Sequence, residues 1–183
     1  MLDFIRAHIS TQNPLLLLYH RIVAFCAALL YGFPGQKLKV IGVTGTNGKT
    51  TTSNLIARIF EEAGYTVGLT TSINFKIGAR EWENTTKKTT FGRLAIQKLL
   101  RQMVRAGCDV AVLEVTSHAL TQWRLCGVHF HTAVLTNITK DHIEYHGSVE
   151  AYVAAKRRMF EKNPALAVLP TDDPHGAEFA ALE

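Results

Sequence analysis

The sequence predicts an α/β fold, a mostly parallel sheet with crossover helices of the P-loop NTPase-like kind, on three observations. Short aliphatic and β-branched runs alternate with longer segments of helical periodicity, the pattern of strands joined by crossover helices. One run, "LKVI", leads straight into a glycine-rich turn and a helical stretch, "GVTGTNGKTTT". Polar side chains gather where apolar runs end, the rim at which open parallel sheets hold their ligands.

The elements follow in order. Residues 1–37 form an apolar helical segment, "PLLLLYHRIVAFCAALLYGF" at its heart, whose His20 and Arg21 argue for a buried or interfacial helix over a membrane span; membrane contact is not expected. Strands are expected at residues 38–43, 66–70, 109–115, 132–136 and 165–169. Between them, Leu55, Ile56, Ile59, Phe60 and Ala63 make one helical stripe, and Ile96, Leu99, Leu100 and Met103 another, each able to lie on a sheet. Lys98, Arg101 and Arg105 fall on the other faces of the second helix and read as solvated surface. "NFKIGAREWENTTKK" reads as a hairpin or mobile loop turning at Gly78. Ser148 is placed to cap a helix running to about Phe160, with Val149, Tyr152, Val153 and Phe160 on one side. After "TDDPHGAEFAALE" the chain stops in a helical pattern with no later strand, so the sheet is expected to be incomplete and residues 38–183 to be part of a larger domain.

With 183 residues, 47% hydrophobic and 19% charged, the chain is long enough for one globular domain and too apolar to be disordered. Cys26, Cys108 and Cys126 lie far apart and suggest neither a disulfide framework nor a zinc ribbon, which fits a reducing cytoplasm; no signal-peptide pattern is read. The formal charge of +5 asks for an anionic partner. The basic residues form no block interleaved with aromatics, so phosphates on small molecules are expected rather than nucleic acid.

The glycine loop gives the sharpest expectation. A strand, a glycine turn and a helix start present backbone N–H groups and the positive end of the helix dipole to one point, where phosphate binds. Lys49 can reach terminal phosphates and Thr50 can offer a hydroxyl to Mg²⁺. The spacing departs from GxxxxGK[ST]: Val43 stands where the first glycine belongs and Gly42 lies one residue early. A dinucleotide fingerprint has no use for the lysine, and a plain turn at a helix start is the bland reading.

"VAVLEVTSHAL" runs apolar and then delivers Glu114, Thr116, Ser117 and His118; "TAVLTNITKDH" does so with Thr136, Asn137, Asp141 and His142. Glu114 is a candidate for Mg²⁺, against a surface ion pair. His142 and His146 are four apart but lack the HExxH pattern and a third zinc ligand; for His142 a metal or phosphate contact competes with a helix cap. Lys156 falls on the apolar stripe of its helix, where desolvation would favour the neutral amine, against snorkelling to solvent.

"GVTGTNGKTTT", "LEVTSHAL", "TNITKDHIEYHG" and "EAYVAAK" together resemble the central ATPase domain of the Mur ligases, most closely the tripeptide-synthetase branch. The family's own loop has the offset glycine spacing. The resemblance implies an ATP-dependent amide ligase of peptidoglycan synthesis, acting on a UDP-N-acetylmuramoyl-peptide and an amino acid through an acyl phosphate. It implies that Gly45, Thr46, Asn47, Gly48, Lys49, Thr50 and Thr51 hold ATP, with Asn137 beside the nucleotide. Thr50, Glu114 and His142 would serve Mg²⁺, and Lys49, His142 and Lys156 the chemistry, Lys156 matching the family's carbamylated lysine. Thr89, Thr90, Thr116, Gln122 and Arg124 match positions that contact the muramoyl substrate. Two residues depart: Phe91 stands where proline is common and Lys88 where asparagine is. The segment before residue 38 is short for the family's UDP-binding domain, and the amino-acid-selecting domain lies outside the sequence, so this piece alone is expected to be inactive. The other readings are a nucleotide-binding module or inactive remnant, and a folylpolyglutamate-type ligase.

Overall fold

The computed structural model describes residues 13–85, 89–139 and 143–182. Seven strands form one sheet: β1 (Lys39–Thr44), β2 (Val67–Thr70), β3 (Asn74–Ile77), β4 (Arg80–Glu83), β5 (Val110–Glu114), β6 (Phe130–Leu135) and β7 (Leu166–Val168). Their spatial order is β4-β3-β2-β5-β1-β6-β7. β2, β5, β1, β6 and β7 run parallel, and β3 and β4 are the antiparallel hairpin. The five expected strands are present, shifted by no more than a residue or two at their ends. The polar stretch after β2 is thus an ordered hairpin, turning at Gly78 in the left-handed region (φ +57°).

β1 is central and reads as a continuous apolar run because both faces are covered. On one face lie Ile41, Val43, Val67, Leu69, Val110, Val112 and Val134, under helix α2 (Lys49–Glu62). On the other lie Val40, Ala111, Leu113, Phe130, Ala133 and Leu135. Helices α3 (Arg93–Arg105), α4 (Ser117–Thr121), α6 (Val149–Arg157) and α7 (Pro174–Ala180) add to that larger core, and the short α5 (Ile143–His146) precedes α6. The α3 stripe is as expected: Ile96, Leu99, Leu100 and Met103 are buried.

The α2 stripe is not. Leu55 and Ile59 are 59% and 67% exposed, whereas Ser53 and Ala57 are buried and Ile56 and Phe60 pack partly on the sheet. The glycine turn fixes the rotation of the helix at Lys49, and the i, i+3, i+4, i+7 face that then meets the sheet is 53, 56, 57, 60. The first helix, α1 (Pro14–Leu30), is capped by Asn13 and buries Ala24, Ala27 and Ala28. Its packing neighbour is α3. Leu15, Leu18, Ile22, Phe25 and Leu29 remain more than half exposed. No helix among the described residues is long and apolar enough to cross a membrane.

Candidate functional site

The register of the central strands sets the site. Val43 pairs with Glu114 and Thr44 with Leu135, so the carboxyl ends of β1, β5 and β6 finish at one level. Gly42 explains the offset glycine spacing. It belongs to the strand, and a Cβ there would lie 2.7 Å from the Phe130 ring and 2.8 Å from the Met159 sulfur, so it serves packing rather than the loop. Gly45 and Gly48 carry the turn with positive φ (+147° and +80°), and a Cβ on Gly45 would collide with the Thr136 hydroxyl.

The loop after β6 pins the glycine turn in place. Thr46 N–H donates to the Asn137 carbonyl (2.9 Å) and Asn47 N–H to Asn137 Oδ1 (3.0 Å). Asn137 Nδ2 and the Thr136 hydroxyl donate back to the Asn47 carbonyl (3.1 and 2.6 Å). The buried Thr46 hydroxyl meets Tyr152 Oη of α6 (3.1 Å). Lys49 Nζ curls over the turn to the carbonyls of Gly45 (3.1 Å) and Thr46 (2.8 Å), while Thr51 is exposed on the first turn of α2.

Glu114 is 3% exposed at the end of β5. Its Oε2 accepts from the Thr50 hydroxyl (2.9 Å), from Ser72 N–H (2.9 Å) and from the Ser72 hydroxyl (3.3 Å). A hydrogen-bonded strand-end carboxylate replaces the surface ion pair weighed from the sequence. Among the described residues no group of three His, Cys, Asp or Glu could hold a metal alone. The Thr50 and Glu114 oxygens suit a hard cation that takes its other ligands from phosphates and water, which is how Mg²⁺ is usually bound.

Lys156 does not snorkel: it is 1% exposed, donates from Nζ to the Gly45 carbonyl (2.7 Å) and sits 4.4 Å from the centre of the Tyr152 ring. The inward amine and the glycine turn therefore share one carbonyl. His142 and Asp141 lie outside the described residues, as does Lys88. His146 is buried and its Nε2 lies 2.9 Å from Ser117 Oγ.

Beside Glu114 lies a second polar group. The Thr90 hydroxyl donates to the Glu114 carbonyl (3.2 Å) and accepts from Thr116 N–H (3.3 Å). Arg124 Nη1 donates to the Thr90 carbonyl (2.8 Å), and its Nε and Nη2 to Gln122 Oε1 (3.0 and 2.8 Å). Gln122 Nε2 donates to Tyr145 Oη (2.9 Å), whose ring lies 3.9 Å from that of His118. Burial lowers the Arg124 pKa, with Tyr145 opposing. Thr89 is partly buried next to Thr90. Phe91, where proline was the common residue, stacks on Phe75 of the hairpin at 4.9 Å.

Sequence reasoning missed Ser72, Tyr145 and the Tyr152 hydroxyl. The strand-end rule could have found Ser72, which follows β2 as Glu114 ends β5. Tyr152 was read only as part of an apolar stripe, and Tyr145 was given no role.

A glycine turn at the rim of a parallel sheet, a lysine over it and a threonine–carboxylate pair beside it define a P-loop-type α/β domain. Residues 43–183 match the family described as the Mur ligase middle domain, and the chain belongs to the Mur ligase family. It is similar to the UDP-N-acetylmuramyl-tripeptide synthetase of Roseiflexus sp. (strain RS-1), 44% identical over 167 residues, covering 84% of this chain and 33% of that protein. A solved UDP-N-acetylmuramoyl-L-alanyl-D-glutamate–2,6-diaminopimelate ligase superposes with a TM-score of 0.69 at 37% identity, covering 79% of this chain and 29% of that one. E. coli FolC, solved with DHPP and ADP, shares the fold at 24% identity (TM-score 0.60, 84% and 43% covered). The chain thus spans about a third of the length of the curated relatives it matches.

Proposed function

We propose that the chain carries the phosphate and acceptor-binding part of an ATP-dependent acid–amino-acid ligase that extends a UDP-N-acetylmuramoyl-peptide by one amino acid. The turn from Gly45 to Gly48, with Lys49, Thr50, Thr51 and Asn137, holds the triphosphate. The acceptor's carboxylate oxygen attacks the γ-phosphorus, the bond to the β-phosphate oxygen breaks, and ADP is released. The amine of the amino acid then attacks the acyl carbon, loses a proton and expels phosphate.

The described residues have parts that their positions support, and His142 takes its part from the family motif alone. Lys49 places a positive charge where the transferring group gains negative charge, and the turn's N–H groups hold it in line, so catalysis is mainly positioning and charge neutralisation. Thr50 and Glu114, with His142, hold Mg²⁺. Bound there, the ion supplies charge neutralisation on phosphate oxygens. Lys156 is the amine at which CO₂ would add, forming an N–C bond and releasing a proton, and the resulting carbamate would offer oxygens to the metal. Thr89, Thr90, Thr116, Gln122 and Arg124 hold the acceptor. Residues 1–37 are an accessory segment, helical over Pro14–Leu30, and residues 38–183 belong to the ATP-binding domain.

The observation that carries this reading is the Thr50 hydroxyl on Glu114 at 2.9 Å, one helix position from Lys49 over its glycine turn. The folate-type alternative rests on fold likeness alone, whereas the muramoyl relatives are 44% and 37% identical to this chain over the portion they share with it. The test is amide formation by the intact protein. Phosphate release that requires both UDP-N-acetylmuramoyl-L-alanyl-D-glutamate and an amino acid, with an extended peptide in the mass spectrum, is expected. Nucleotide binding without amide product under those conditions would leave a binding module only.

A further inference from the structure

Beside Arg124, assigned above, lie two further basic residues, Arg93 and His20, and among the described residues none of the three has a carboxylate partner. Arg93 is the first residue of α3, and its Nε and Nη2 are buried without a hydrogen-bond partner among the described residues. These two atoms are adjacent donors on one edge of the guanidinium, the edge that grips two oxygens of a carboxylate or phosphate at once. His20 of α1 has an equally buried, unpartnered Nδ1. Arg124 completes the group: its charge and that of Arg93 both oppose protonation of His20, after burial as the larger cause. Burial and then Arg124 lower the Arg93 pKa. Among the described residues no carboxylate pairs with Arg93 or Arg124.

As structure alone this arrangement is unfavourable. A buried donor edge left unmade is destabilising, the more so when it is charged. Arg93 also stands at the positive end of the α3 dipole, in a first turn with no acidic residue and no side-chain cap. Two further contacts hold the group in place. Arg21, next to His20, lies 4.9 Å from the Trp123 ring centre, docking α1 beside Arg124. Arg124 in turn holds the Thr90 carbonyl, and Thr90 touches Glu114. The cluster therefore continues the line from Thr50 through Glu114 and Thr90, at the end away from the phosphate turn. Arg93 itself is only partly buried, so a turn of its flexible side chain brings the donor edge to a ligand.

We infer that Arg93 and His20 join Arg124 in a seat for an oxyanion of the acceptor substrate, a carboxylate of its peptide or a phosphate of its nucleotide. The inference rests on the function proposed above and adds two residues that the family resemblance did not assign, one of them from the leading helix.

Binding to the whole chain tests it, using Arg93→Met, Arg93→Lys and wild type, with UDP-N-acetylmuramoyl-L-alanyl-D-glutamate followed by calorimetry. Arg93→Met is expected to weaken acceptor binding about ten- to a hundredfold, the worth of a lost charged hydrogen-bond pair, with Mg·ATP affinity unchanged. Arg93→Lys should fall between. Without ligand, Arg93→Met should raise Tm, because it removes an orphaned charge; a structural arginine would lower it. Dependence on Arg93 that persists with N-acetylmuramoyl-L-alanyl-D-glutamate identifies a carboxylate, and persistence with UDP-N-acetylglucosamine identifies a phosphate. Wild-type affinity for the acceptor in Arg93→Met overturns the inference and leaves the proposed function standing. No acceptor binding by wild type, with Mg·ATP still bound, overturns both.

Discussion

Glu114 is the residue on which the local chemistry turns. It is buried, it is held by the Thr50 hydroxyl and both donors of Ser72, and its partners all bind one oxygen, Oε2. Glu114→Gln keeps the shape, and the amide can turn its oxygen to the same donors, so the fold should persist. What changes is the charge offered to a cation: the Mg²⁺ concentration needed for half-maximal ATP binding should rise about tenfold, a difference of ~1.4 kcal/mol, read by calorimetry across a magnesium series. Gly45 tests the turn in a different way. Gly45→Ala forces a Cβ into φ +147° and against Thr136, which should cost about 1–3 kcal/mol of stability, measured by urea unfolding. Both residues stood out in the sequence because strand-end acids and turn glycines have few other uses. Arg93 and His20 did not, since no local pattern links a residue of α1 to one of α3, and only helix packing brings them together.

At the scale of elements, α6 is the strut of the site. One helix sends Tyr152 to the Thr46 hydroxyl and, one turn later, Lys156 to the Gly45 carbonyl. Tyr152→Phe removes only a hydroxyl, so the ring keeps its place beside Lys156. It should lower stability by about 0.5–1.5 kcal/mol and weaken ATP binding several-fold through a looser turn; an unchanged ATP affinity would separate the strut from the site. The helix itself was legible from its Ser148 cap and apolar stripe, and Lys156 because it interrupts that stripe. The stripe on α2 misled for a physical reason: Leu55 and Ile59 are apolar but exposed, and the helix's rotation is dictated by the turn that starts it rather than by its hydrophobic residues. The hairpin was ambiguous because β4 is a polar edge strand and β3 beside it is half polar, with Asn74, Glu81 and Lys76 bonding across their own surface.

Over the whole molecule, topology does the gathering. Parallel strands with crossover helices bring every carboxyl end to one rim, and so residues from β1, β2, β5 and β6 meet although the sequence scatters them. The alternation of strands and helices made this much readable without coordinates; the register that aligns Val43 with Glu114 was not. Relatives about three times as long share this portion. The central claim is that this rim is a nucleotide-phosphate site, and calorimetric titration of the chain with Mg·ATP tests it most directly. One saturable site in the wild type is predicted, weakened at least tenfold, or ~1.4 kcal/mol, in Lys49→Ala with an unchanged circular dichroism spectrum. Equal binding by the two proteins, or none by the wild type, would contradict it.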